Sequence, residues 1–128
     1  MREPRSIPAS LESEAGVLGG LMLDSEAINR VPDLTAEAFH NEAHANIFRA
    51  IQSLAVAGQP TDMVSVFTEM QQAGHAIELY ELNEIAQYVP SAASIRRHAG
   101  VVMDTYRLRQ LMNAGSEIAD LAMTPGHH

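Results

Sequence analysis

Apolar residues along this chain recur mainly at spacings of three and four, the signature of helices that bury one face. Leu11, Ala15, Leu18 and Met22 form the first stripe, with Ser10 as a candidate N-cap. Glu12 and Glu14 fall in its first turn, where the helix dipole favours anions. Residues 26–31 suit a short helix ended by Pro32, and residues 35–39 a single turn. From Asn41, the positions Ile47, Phe48, Ile51, Leu54 and Ala55 trace a strong helix that stops at Gly58 and Pro60. Thr61 and Asp62 can cap the next, which turns Val66, Phe67 and Met70 inward and closes at Gly74. Leu79, Leu82, Ile85 and Ala86 carry a further helix ending before Pro90, and Ser91 or Ser94 opens a last one over residues 95–123. No stretch alternates like a strand and no repeat is visible. The pattern predicts an all-α fold, a compact bundle of about six helices.

The last helix changes face. At about 100° per residue, Ile95, Ala99, Val102, Met103 and Tyr106 gather on one side of its first half. In the second half, Leu108, Leu111, Met112, Gly115, Ile118, Ala119 and Ala122 gather on nearly the opposite side. Arg109, Gln110, Asn113, Ser116, Glu117 and Asp120 take over the side that had been apolar. A helix that covers one core keeps one stripe. The exchange near Tyr106–Leu108 fits either a central helix with core on both sides at different heights, or a docked first half and a projecting second half. In the second case the later face would pair with a further helix or another subunit. Gly115 would permit close approach there, at a cost in helix propensity. The expected organisation is a flexible arm over residues 1–8, a globular body over 9–94, the long helix over 95–123 and a tail over 124–128.

Composition narrows the chemistry. Sixteen acidic residues face eight basic ones, all arginine, for a formal charge of −8 at pH 7. Nucleic-acid surfaces are normally basic, so this balance argues against direct DNA binding by most of the surface. The absence of cysteine removes disulfides, thiolate metal sites and cysteine nucleophiles, and suits a cytoplasmic protein. The longest apolar run, around residues 16–23, is too short to span a bilayer, and no basic-then-apolar leader opens the chain. The closing Gly126-His127-His128 resembles the stub of a purification tag.

Three candidate sites need weighing. Gly16, Gly19 and Gly20 could form a phosphate loop, but the chain has no lysine and no G-x-x-x-x-G-K-[ST] string. Gly16 and Gly20 are four apart, so on a helix they make a smooth patch for close packing, and secondarily for self-association. In "HNEAH", His40 and His44 share a helical spacing with Glu42 nearby, which raises a metal-dependent hydrolase. The pattern is not H-E-x-x-H, however, and no third ligand is evident, so capping or packing is expected. Glu78, Glu81 and Glu84 read as a solvated face. Arg96, Arg97, Arg107 and Arg109 form the basic cluster, either paired within the helix to Asp104 or set to dock an acidic partner. No catalytic, cofactor-binding or metal residue is assigned.

Four stretches, "SLESEAGVLGGLMLD", "AFHNEAHANIFRAIQSLAVAGQPTDMVSV", "LYELNEIAQYVPSAASI" and "IRRHAGVVMDTYRLRQLM", resemble the N-terminal domain of DnaB-type replicative DNA helicases in order and spacing, over residues 6–126. The resemblance implies a non-catalytic collar above a ring of six motor domains, which would use ATP and magnesium. It also implies self-association, docking of primase and, in some systems, of a helicase loader. His40 stands after Phe39 where the family usually has tyrosine, and lysine is scarce, which suits a divergent or phage-borne helicase. The chain ends within the first helix of the family's helical hairpin, as an excised fragment would. The apolar residues Leu108, Leu111, Met112, Gly115, Ile118 and Ala119 would then face a return helix or a neighbouring collar subunit. A stand-alone helical adaptor that engages a host helicase or primase is the other reading.

Overall fold

The computed structural model describes residues 7–126; residues 1–6 of the expected arm and His127 and His128 lie outside the described residues. Among the described residues there are five α-helices: α1 Leu11–Leu23, α2 Glu42–Val56, α3 Met63–Gln72, α4 Leu79–Ala86 and α5 Ile95–Met123. Two 3₁₀ helices, Ser25–Arg30 and Ala36–Ala38, link α1 to α2.

Local chemistry sets most of the boundaries. Ser10 Oγ accepts from the Ser13 N–H at 3.2 Å, and Asn41 Oδ1 accepts from the His44 N–H at 3.0 Å. Both are N-caps that satisfy amides with no partner inside the helix. Gly58 and Gly74, with φ of +69° and +80°, close α2 and α3. Just beyond each glycine an amide folds back, Gln59 N–H to Leu54 O at 2.8 Å and His75 N–H to Met70 O at 2.9 Å.

Thr61 behaves differently from expectation. It does not cap α3; it is buried, its hydroxyl donating to Leu21 O at 2.6 Å and its N–H to Ser25 Oγ at 3.1 Å. It therefore ties the loop before α3 to the end of α1. Asp62 does precede α3, but its carboxylate accepts from the Ser65 hydroxyl at 2.6 Å rather than from a backbone amide. Leu79, expected inside, lies half exposed, while Leu82 is fully buried in its place on α4.

Helix α1 is the centre of the body. It touches α2, α4, α5 and the first 3₁₀ helix, and every residue from Ser13 to Met22 is buried. A single inward stripe was expected, but α1 is enclosed on all sides, as suits a helix apolar nearly all round. Leu18, Leu21, Phe48, Ile47, Ile51, Val66, Met70, Leu82, Ile95 and Val102 form the inner core around it. The rings of Phe39 and Phe48 lie 5.0 Å apart at 31°.

The glycines explain how α1 can be so enclosed. A Cβ at Gly16 would stand 2.7 Å from the His98 ring, and one at Gly19 would stand 2.8 Å from Ile85 O. At Gly20 it would meet Ala92 and Ile95 at 3.5 Å. The smooth patch is thus filled by α4, α5 and the segment between them. Gly16 and Gly20 pack within the chain and offer no open surface for self-association.

Gly19 and Gly100 provide opposed tests, because a Cβ at Gly100 would meet nothing within 4 Å. Gly100→Ala should raise the urea midpoint, gaining up to about 1 kcal/mol of helix propensity. Gly19→Ala gains the same propensity but drives a methyl into a backbone carbonyl, so a net loss of about 1–3 kcal/mol is expected. If both substitutions shift the midpoint upward, the close approach of α1 to α4 is not what constrains residue 19.

Candidate interaction surface on the projecting helix

Helix α5 begins as a core helix. Ile95, Ala99 and Val102 are buried, and Met103 and Tyr106 are partly covered. This is the first-half stripe, and it packs chiefly on α1. Beyond it the body stops while the helix continues, and residues 110–126 are all exposed. Leu108, Leu111, Met112, Gly115, Ile118 and Ala119 are all exposed; Leu111 is 70% and Ile118 68% exposed. At about 1.5 Å per residue, the exposed part of the helix extends roughly 20 Å from the body.

A helix of that length gains little from the body that it leaves. Its second half carries an apolar face that nothing among the described residues covers, and contiguous exposed apolar faces mark interaction surfaces. The central-helix alternative, with core on both sides, does not hold among the described residues. The second half meets solvent where that alternative needs a second core.

The polar residues around its base have specific work. Arg107 pairs with Asp104 at 3.2 Å, the intrahelical pairing expected of the basic cluster, with both side chains well exposed. Arg96 and Arg97 are exposed. Arg109 does something not foreseen: Nη1 donates to Pro8 O at 2.9 Å and Nη2 to Ala38 O at 2.6 Å. Its guanidinium also lies 5.7 Å from the centre of the Tyr106 ring. Glu78, Glu81 and Glu84 are exposed, as a solvated face should be. Their charge, Glu81 foremost, pushes the Tyr80 hydroxyl above its usual range.

Of the two histidines of HNEAH, His44 contacts Glu14 through its ring and His40 through its backbone N–H. His44 Nδ1 lies 2.8 Å from Glu14 Oε1, and since a carboxylate only accepts, that nitrogen carries the proton. Glu14 is fully buried and also accepts from the N–H groups of His40 at 2.7 Å and Asn41 at 3.2 Å. Burial pushes its carboxyl up, but the bonds from the His44 ring and the two amides outweigh this and hold it below the usual glutamate range. His98, which covers Gly16, is held below the usual histidine range by its burial and then by Arg97. A first-turn glutamate serving only the helix dipole was expected at Glu14. Its spacing held a clue, since positions 11, 14, 15 and 18 share one face and place the carboxylate among core residues.

The fold and this surface define a class: a small helical domain whose distinctive feature is an extended helix with an uncovered apolar face. Comparison with known proteins then identifies it more closely. The profile of the DnaB-like helicase N-terminal domain matches residues 6–104. The chain therefore belongs to that family. It is 40% identical over 122 residues to the replicative DNA helicase DnaB of Synechocystis sp., covering 92% of this chain and 14% of that protein. The crystal structure of the N-terminal domain of DnaB helicase from Mycobacterium tuberculosis superposes with a TM-score of 0.87 at 31% identity, covering 91% of this chain and 86% of the other. A DnaB-like replicative helicase described with its interactions with primase gives a TM-score of 0.75 at 26% identity, covering 91% of this chain and 29% of that one.

The buried glutamate generates a prediction with a definite sign. Because its folded pKa is depressed, Glu14 adds stability that is complete above the ordinary glutamate value of 4.5 and is lost as pH falls below it. Glu14→Gln places an amide donor among groups that need an acceptor, at a cost of about 2–4 kcal/mol. Urea titrations at neutral pH and in the acid range should show the variant less stable at neutral pH, with the gap closing on acidification. A constant gap across that range would contradict this role.

Proposed function

We propose that this chain serves as the N-terminal association and docking domain of a replicative DNA helicase. In that role residues 9–94 form the body, and residues 95–123 the helix that reaches other subunits. The observation that carries the reading is the uncovered apolar face of α5 in a chain of this family. Leu108, Leu111, Met112, Gly115, Ile118 and Ala119 are assigned to it. Self-association through this face contributes to assembly of the six-membered helicase ring. ATP and magnesium are used in a motor domain of the full protein, where DNA is translocated.

Primase is the proposed docking partner, and a helicase loader a further one. The likeness to a DnaB-like helicase described with its interactions with primase supports the first. The formal charge of −8 supports contacts with proteins rather than with DNA. No helix among the described residues is long and apolar enough to cross a membrane. We assign the domain to the cytoplasm, where replication of this type takes place.

Leu111→Asp combined with Ile118→Asp tests the reading. Burial of each such side chain is worth about 1.5–3 kcal/mol, so two charges on the face should abolish association through it. In sedimentation velocity the parent is expected to assemble as concentration rises, and the double variant to remain monomeric with an unchanged thermal melt of the body. A double variant that assembles like the parent would sink the assignment of this face.

A further inference from the structure

We propose that Arg109 is the positioning residue that fixes the direction in which α5 leaves the body. It occupies the last place on the core-facing stripe, after Ile95, Ala99, Val102 and Tyr106 at spacings of four, three, four and three. It is also the last α5 residue whose side chain is not exposed. Its guanidinium joins three segments far apart in sequence. One nitrogen holds Pro8 O in the segment entering α1; the other holds Ala38 O in the turn entering α2; its face lies beside Tyr106 of α5.

The chemistry of this junction is unusual for a surface arginine. Among the described residues the ion pairs are Asp24–Arg30, Glu14–His44 and Asp104–Arg107, so Arg109 is spent on two neutral carbonyls rather than on a carboxylate. Surface ion pairs are weak and their geometry loose. A planar fork gripping two carbonyls fixes an orientation, which a lysine's single charged point does not. The same turn is gripped by Glu14 through the amides of His40 and Asn41. Residues 38–41 are therefore held both by a buried anion on α1 and by a cation on α5. A displacement of α5 at Arg109 has to strain or break one of these bonds.

Leverage makes this consequential. Beyond Arg109 α5 runs on to its end for about 20 Å with every side chain exposed, so a tilt of about 15° at Arg109 moves the tip by roughly 5 Å. Arg109 makes the last contact that holds α5 before its side chains are all exposed. The aim of α5 is set in this way whatever its apolar face binds.

The chain has no cysteine, so nitroxide labels can be placed without interference. The test uses Gln59→Cys on the body and Asp120→Cys near the tip, both exposed positions. An excess of unlabelled chain leaves only distances within one molecule. Pulsed electron–electron resonance on this pair should give one narrow distribution. Adding Arg109→Ala should broaden it and displace its mean by about 5 Å, with the thermal midpoint of the body little changed. Asn113→Ala, one turn further along the same stripe but exposed, should leave the parental distribution intact. A parental distribution in Arg109→Ala overturns the proposal, as does equal broadening in Asn113→Ala. If Arg109→Ala fails to fold, Arg109→Lys decides: broadening supports the fork-specific role, and a parental distribution overturns it.

Discussion

The close approach of α1 to α4 and α5 is the constraint on which the rest of this structure depends. Ten consecutive residues of α1 are buried, and that is possible because Gly16, Gly19 and Gly20 present backbone where other residues would present side chains. His98, Ile85 O, Ala92 and Ile95 occupy the space that Cβ atoms would have filled. The glycines sacrifice helix propensity, and interior packing on every side of α1 offsets the loss. Seating the start of α5 against this face also determines where the long helix begins its path away from the body.

Around that core, polar bonds of long sequence separation do the orienting. Thr61 ties the loop before α3 to the end of α1, Glu14 secures the start of α2, and Arg109 secures the exit of α5. Each joins a side chain to backbone groups of another segment, and each is at least partly shielded from water. Bonds of this kind matter more for defining geometry than exposed ion pairs such as Arg107–Asp104. The body thereby holds a rigid base from which an otherwise unsupported helix can project its apolar face in one direction. Under the proposed association role, the direction of that face is as important as its composition.

Family membership and physical reading meet on α5. The match to the helicase N-terminal domain profile covers residues 6–104 and thus ends near the start of the exposed half. The exposed residues Leu111 and Ile118 lie beyond it, and their assignment rests on the change of face along the helix and on their exposure. The family match identifies the domain, and the physical reading alone proposes the surface.

The helices were legible in the sequence because their signals are local. Spacings of three and four, the caps Ser10 and Asn41, and the terminal glycines Gly58 and Gly74 act within a few residues of where they stand. The exchange of apolar face near Tyr106 was legible for the same reason. What tertiary structure alone decided was which distant groups meet. Glu14 finds amides 26 and 27 residues away, and Arg109 finds carbonyls at separations of 101 and 71. Periodicity could place Glu14 among core residues, but could not supply the donors that make a buried carboxylate tolerable. Helical periodicity records which side of a segment avoids water; only the folded chain determines what waits on that side.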